Sequence, residues 1–319
     1  MLTYFVGDSG HMKAKLSGNL AVVAAVITVL LWASSFVVIR FAGDSLSPGA
    51  MAFARLSVGA AVLAVIAVRY RRPIPRGRAL ALVIGYGLLW FAAYTVLLNW
   101  AEQHLDAGTA ALLVNLAPIL VAIFAGLFMG EGFPRPLVIG IVIAFAGVLL
   151  IALGGSGGSH NDRLGITLGL ITAVLYAAGV LMQKVALRTV DAVTATWVGC
   201  FAGLLATTPF APQAVSELGD ASAGAIAGVV FLGVGPTAIA FLTWAYALSR
   251  TDAGKMAATT LAVPAIAIGL SWIFLGEVPT ALGLVGGAMA LTGVAISRRR
   301  PRQQPAAVDA QVPETSPTS

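Results

Sequence analysis

Charge is what this sequence is shortest of. Its 319 residues hold 19 Lys and Arg against 13 Asp and Glu, so only 10% are charged. A soluble domain carries about 25%, and so few charges cannot cover a water-facing surface. Cysteine is nearly missing too. Cys200 stands alone, which excludes an internal disulfide and a cysteine-ligated metal site. The three histidines, His11, His104 and His160, lie far apart and outside the strongest apolar runs. No His, Cys, Asp and Glu residues recur at metal-ligand spacing. No Gly-Lys-Ser/Thr phosphate loop is present, so there is no evident ATP hydrolysis. No Ser-His-Asp set is credible, and no apolar run has Asp or Glu at its middle. These absences argue against an enzyme, and no cofactor or metal is expected.

What fills the chain instead is apolar. Hydrophobic residues make up 59% of it and the mean hydropathy is +0.93, which reads as an all-α integral membrane protein. The net charge of +6 and pI near 9.8 would suggest nucleic acid in a soluble protein. In a membrane protein the same excess reports loop orientation, and no nucleic-acid partner is expected.

A membrane helix needs about 20 mostly apolar residues. Ten such segments are expected, at 18–40, 48–69, 79–100, 107–129, 135–154, 164–186, 193–211, 222–248, 254–276 and 279–297. The connections are short, apart from the Arg-rich stretch 69–78, a Gly/Ser linker at 155–163 and residues 212–221. Residues 1–17 read as a polar N-terminal cytoplasmic segment rather than a signal peptide: residues 1–10 carry no basic region, Lys13 and Lys15 come only just before the first run, and that run is too long, with no small-residue cleavage site. Residues 298–319 read as a disordered tail. With the N-terminus in the cytoplasm, sixteen Lys and Arg fall inside and only Arg40 and Arg163 fall outside. That bias places both termini inside and fits an even number of spans. The Ala, Gly and Arg-rich usage suggests a GC-rich bacterium, so the expected site is the bacterial inner membrane, with lipid as a partner.

The chain repeats itself. Residues 106–131 align over 252–277 at an offset of 146, pairing Asp106 with Asp252, Pro118 with Pro264 and Glu131 with Glu277. At an offset of 144 the first span meets the sixth, pairing Trp32 with Tyr176 and Arg40 with Lys184. Each half, 18–154 and 164–297, then holds five spans. Five is odd, so the second half crosses in the opposite sense. Two inverted repeats are a mark of secondary transporters, which rock one repeat against the other around a midplane site. Channels carry them as well.

The segments LLWASSFVVIR (30–40), AFARLSVGAAVL (52–63) and AGTAALLVNLAPILVAIFAGLFMGE (107–131), with the echo of the last at 253–277, resemble the EamA-type family of the drug/metabolite transporter superfamily. The likeness spans about 18–297. It implies a ten-helix carrier of small organic solutes, often an exporter of amino acids, metabolites or drugs.

Candidate contact residues follow from the polar and aromatic content of the spans. Trp32, Ser35 and Phe36 share one face of span 1 at i, i+3, i+4 spacing, with Ser34 beside them. Tyr176 mirrors Trp32. Trp90 and Tyr94 form an aromatic face on span 3. Thr95, Asn99 and Glu102 form a polar stripe there, rising toward a loop where Glu102 is read as solvated or, if buried, as a proton relay. Asn115 lies one turn before Pro118. Spans 8 and 9 add Trp244, Tyr246, Thr259 and Thr260, and Gln183 faces substrate or solvent near the end of span 6. The expected substrate contacts are Trp32, Ser35, Tyr94, Asn99, Asn115, Tyr176 and Trp244. Pro118 and Pro264 break span hydrogen bonding and are read as hinge or gating residues. Arg55 is the one formal charge well inside a span. It either meets a substrate carboxylate in a cavity or snorkels to a helix end. Energy coupling is left open between facilitated efflux, exchange and a proton through Glu102. The small residues of spans 5 and 10, among them Gly140, Ala144, Gly283 and Gly287, suit close helix contact within the scaffold or a homodimer face. The whole reads as a secondary carrier, by alternating access, with a pore or lipid-intermediate flippase as the alternative.

Overall fold

A computed structural model describes residues 6–70, 73–128, 135–154, 163–250, 259–277 and 279–297. Glu131, Asp252, Lys255, most of the Gly/Ser linker and the tail lie outside them. The described residues are helical, with no strand among them. The helices are α1 (Val6–Ala42), α2 (Pro48–Tyr70), α3 (Gly77–His104), α4 (Ala107–Val114), α5 (Ala117–Phe128) and α6 (Arg135–Gly154). They continue as α7 (Arg163–Ala186), α8 (Ala192–Asp220), α9 (Ala223–Arg250), α10 (Val263–Leu275) and α11 (Ala281–Ser297).

Six of these are long and apolar enough to cross a membrane: the Leu20–Ala42 part of α1, then α2, α3, α7, α8 and α9. Four further apolar stretches are shorter: Ala107–Val121, Val138–Ile151, Thr260–Leu275 and Ala281–Ile296. The expected fourth span is interrupted. A turn at Asn115–Leu116 separates α4 from α5, and Pro118 cannot supply the amide that would carry the helix through. In the ninth, a 3₁₀ turn at Thr260–Ala262 leads into α10, with Pro264 in its first turn. Gly276 ends α10 with φ of 67°, a left-handed stop that favours glycine.

Side chains follow the medium. Val22, Val23, Val26 and Leu30 of α1, Phe145 and Leu149 of α6 and Trp272, Ile273 and Phe274 of α10 are exposed. Such apolar faces would be a liability in water and suit contact with hydrocarbon. Polar groups are consumed internally. Thr28, Ser57 and Thr172 donate hydroxyl protons to carbonyls four residues back, at 2.7–2.9 Å, a local way to satisfy a hydroxyl in an apolar span. Asp106 and Asp191 cap α4 and α8 by accepting from the amides of Thr109 and Thr194.

Two features tie the halves together. The small faces of α6 and α11 pack on each other: a Cβ on Gly147 would stand 2.4 Å from the Gly286 carbonyl oxygen. Gly287 packs on Leu112. The small-residue faces are thus used within the chain, and a homodimer through spans 5 and 10 would have to use their outward Val, Phe and Leu faces. At one end of the bundle the Arg40 guanidinium meets the Glu277 carboxylate at 3.1 Å. Lys184, the repeat counterpart of Arg40, donates to the Leu248 carbonyl at 2.7 Å.

One feature was not expected from the sequence. Residues Gly87–Ala93 of α3 and Gly233–Ile239 of α9 are π-helical. Both run seven residues, and they are 146 apart, the offset of the repeat. A Cβ on Gly87 would lie 2.3 Å from the Gly199 carbonyl oxygen, and one on Gly233 2.8 Å from that of Arg55. Arg55 and Gly199 are themselves 144 apart, so the same close approach of backbones occurs in each half.

Candidate functional site

Between the π segments lies a cavity of about 610 Å³, its mouth included. Its wall is chiefly aromatic. The ring of Trp32 lies 5.5 Å from that of Phe241 and 6.1 Å from that of Tyr176. Trp90 sits 4.9 Å from Tyr176 and 5.0 Å from Phe241. These tilted and edge-on pairs each contribute about 0.5–1.5 kcal/mol beyond burial, so the wall holds its shape. The Trp32 indole N–H donates to the Pro236 carbonyl inside the second π segment, at 3.3 Å.

Polar atoms enter this wall at few points. Arg55 is 6% exposed and lines the cavity with Ser35, Thr95, Asn115, Thr237 and Thr260. Its Nε donates to the Thr237 hydroxyl at 3.2 Å, joining α2 to the π segment of α9. No Asp or Glu lines the cavity, and no carboxylate lies within ion-pair distance of Arg55 among the described residues. A guanidinium has five N–H donors, so most of its capacity is left for something else. Ser35 is occupied with the Trp32 carbonyl at 2.7 Å. Asn115 donates to the Ala111 carbonyl at 3.1 Å, while its Oδ1 has no partner among the described residues.

The profile of the EamA-like transporter family matches residues 19–153 and again 163–299. The chain belongs to that family. It is 34% identical to a probable terminal-alkyne amino-acid exporter of Streptantibioticus cattleyicolor, over 88% of this chain and 94% of that one. It is 24% identical to a probable amino-acid metabolite efflux pump of Escherichia coli, over 86% and 93%. A solved crystal structure shares the fold, with a TM-score of 0.61 and 20% identity, over 87% of this chain and 96% of that one. Family and relatives alike point to transport of small solutes rather than catalysis.

Within this EamA-like chain the expected site residues divide. Trp32, Ser35, Tyr94, Asn115, Tyr176, Pro118 and Arg55 line one cavity. Trp244 stands behind it, fully buried, 5.0 Å from the Trp32 ring. Its indole donates to Gln183, which in turn donates to the Tyr86 hydroxyl, at 3.1 and 3.0 Å. Gln183 is thus a buried linker, not a group facing substrate or solvent. Asn99 is also outside the cavity wall: its amide donates to the Pro48 carbonyl at 3.1 Å and so fixes the start of α2. Pro264 is buried beside the cavity, which its neighbours Val263 and Thr260 line. Glu102 is no loop residue. It is 1% exposed, with neither carboxyl oxygen hydrogen-bonded among the described residues. Tyr246 lies under the Arg250 guanidinium at 3.7 Å, and Thr259 is exposed.

The sequence reading missed Phe91, Leu98, Val114, Thr237, Phe241 and Val263 as lining residues. Thr237 was the most findable. It stands 146 after Phe91 and beside Pro236, whose place inside a helix marks an irregular turn.

Proposed function

We propose that this chain is an exporter of small organic solutes that bear a carboxylate on an apolar or aromatic body. One observation carries the reading: Arg55 is the single charge in the wall of an otherwise aromatic cavity, with no acidic group paired to it among the described residues. A buried cation with no carboxylate in ion-pair distance is costly, and charged groups within membrane spans mark substrate or ion pathways. The names of the two relatives support amino acids as the class of body and export as the direction. In this reading ten spans form two inverted five-helix repeats in the bacterial inner membrane, with both termini cytoplasmic. The repeats rock about the cavity, and the breaks at Pro118 and Pro264 are where they bend. Glu102 is the coupling group.

Counterflow in proteoliposomes tests this. Vesicles holding the purified chain are loaded with unlabelled L-amino acids, and label is followed from outside. Transient accumulation of one label, lost in Trp32→Ala and Arg55→Gln, is the expected result. An imposed pH gradient should change its rate several-fold in the native chain and not in Glu102→Gln. A linear, non-saturating leak would sink the carrier in favour of a pore.

A further inference from the structure

The break between α4 and α5 does more than bend the chain. Asn115 caps α4 with φ of −72° and ψ of 6°. Its backbone N–H and its side-chain Nδ2 both donate to the Ala111 carbonyl, at 3.2 and 3.1 Å. The amide is therefore oriented, and Oδ1 is left without a partner among the described residues in a residue that lines the cavity. That oxygen is buried, in a residue only 5% exposed, and accepts no hydrogen bond among the described residues. Buried acceptors are seldom left so. Pro118 adds to this, since it has no N–H to give the Val114 carbonyl one turn back. Val114 and Pro118 line the same cavity. The C-terminal end of a helix carries partial negative charge. In transporters, interrupted helices turn such ends on bound cations.

We propose that this break is a cation subsite that takes the primary ammonium of the substrate. It rests on the reading of Arg55 as the carboxylate anchor and adds what that anchor cannot do. Arg55 alone accepts any carboxylate. Arg55 with the Asn115 oxygen selects an α-amino acid over its des-amino analogue, while the aromatic wall takes the side chain. The subsite is built once. The residue 146 after Asn115 is Leu261, which has no acceptor to offer, so the two repeats do not share the zwitterion symmetrically.

Binding by the full-length chain in detergent reads this out, through the fluorescence of the tryptophans around the cavity. Three pairs serve: phenylalanine with 3-phenylpropanoate, leucine with 4-methylpentanoate, norvaline with pentanoate. Each is titrated in choline buffer and again in sodium buffer. The native chain should bind the better amino acid at least tenfold more tightly than its partner, in both buffers. Asn115→Leu should erase that preference, weakening the amino acid at least tenfold and the des-amino acid less than twofold. Asn115→Asp keeps the acceptor and guards against misfolding of the first variant. It should retain the amino acid and weaken the des-amino acid further. Equal weakening of both members of a pair by Asn115→Leu, or no preference in the native chain, overturns the ammonium subsite. Binding that appears only in sodium, and loses that dependence in Asn115→Leu, assigns the break to a sodium ion and also overturns it. The Arg55 reading fails separately, if Arg55→Gln leaves 3-phenylpropanoate binding unchanged. No response to any of the six compounds overturns both, and binding of the des-amino acids alone overturns the ammonium subsite only.

Discussion

The two halves of the chain are alike in backbone and unlike in chemistry. Each has a π segment at the same repeat position, a proline in the same broken span, and a close backbone approach between corresponding helices. The side chains around the cavity do not follow that symmetry. Where the first half has Arg55, Asn115 and Trp90, the second has Gly199, Leu261 and Pro236. The aromatic pair Trp32 and Tyr176 and the prolines Pro118 and Pro264 are kept in kind. The difference separates two demands. A scaffold that rocks between two states needs halves of matching shape. A solute with distinct ends needs one of each anchor, and a second copy would compete for it.

The largest effect should come from breaking the shared shape. Gly87→Val places atoms against the Gly199 carbonyl, where even a Cβ would lie 2.3 Å away. Backbone cannot yield as a side-chain tip does, so the loss should exceed the about 1–3 kcal/mol of ordinary overpacking. Gly233→Val should match it within a factor of two, and thermal unfolding in detergent would show both. A large drop for one and none for the other would mean that the halves are not mechanically equivalent. A middle effect tests the chemistry. Arg55→Gln should lower carboxylate transport at least tenfold, about 1.4 kcal/mol, with the unfolding temperature unchanged or raised, because a buried charge with no carboxylate in ion-pair distance is removed. Unfolding as severe as that of Gly87→Val would move Arg55 into the scaffold. The smallest effect concerns the tie at the end of the bundle. Arg40 and Glu277 are 12% and 24% exposed in their side chains, and pairs of this kind couple by about 0.2–1 kcal/mol. A double-mutant cycle with Arg40→Gln and Glu277→Gln should return a value in that range, and a coupling of zero would leave the tie without energetic weight.

Much of this was legible in the residues alone. Repetition announced itself through Pro118 with Pro264 and Arg40 with Lys184, because equal spacing survives where identity does not. The aromatic wall was legible too, since few aromatics in a span can face lipid and a cavity at once. The burial of Glu102, Asn99 and Gln183 was not legible, for one reason. A polar residue near the end of an apolar run meets either water or another helix, and the run itself is the same in both cases. Only the placement of α2 over Asn99, and of Tyr86 and Trp244 around Gln183, decides between them. The π segments escaped because a widened turn hardly changes the composition of a span.

Those segments also date something. A π turn takes in one residue more than an α turn. Both halves hold seven such residues, 146 apart. The extra residue was therefore present in a single ancestral half and was copied with it. A feature older than the duplication, and still kept in both copies, belongs to the ancestor's working parts rather than to the tastes of its descendants.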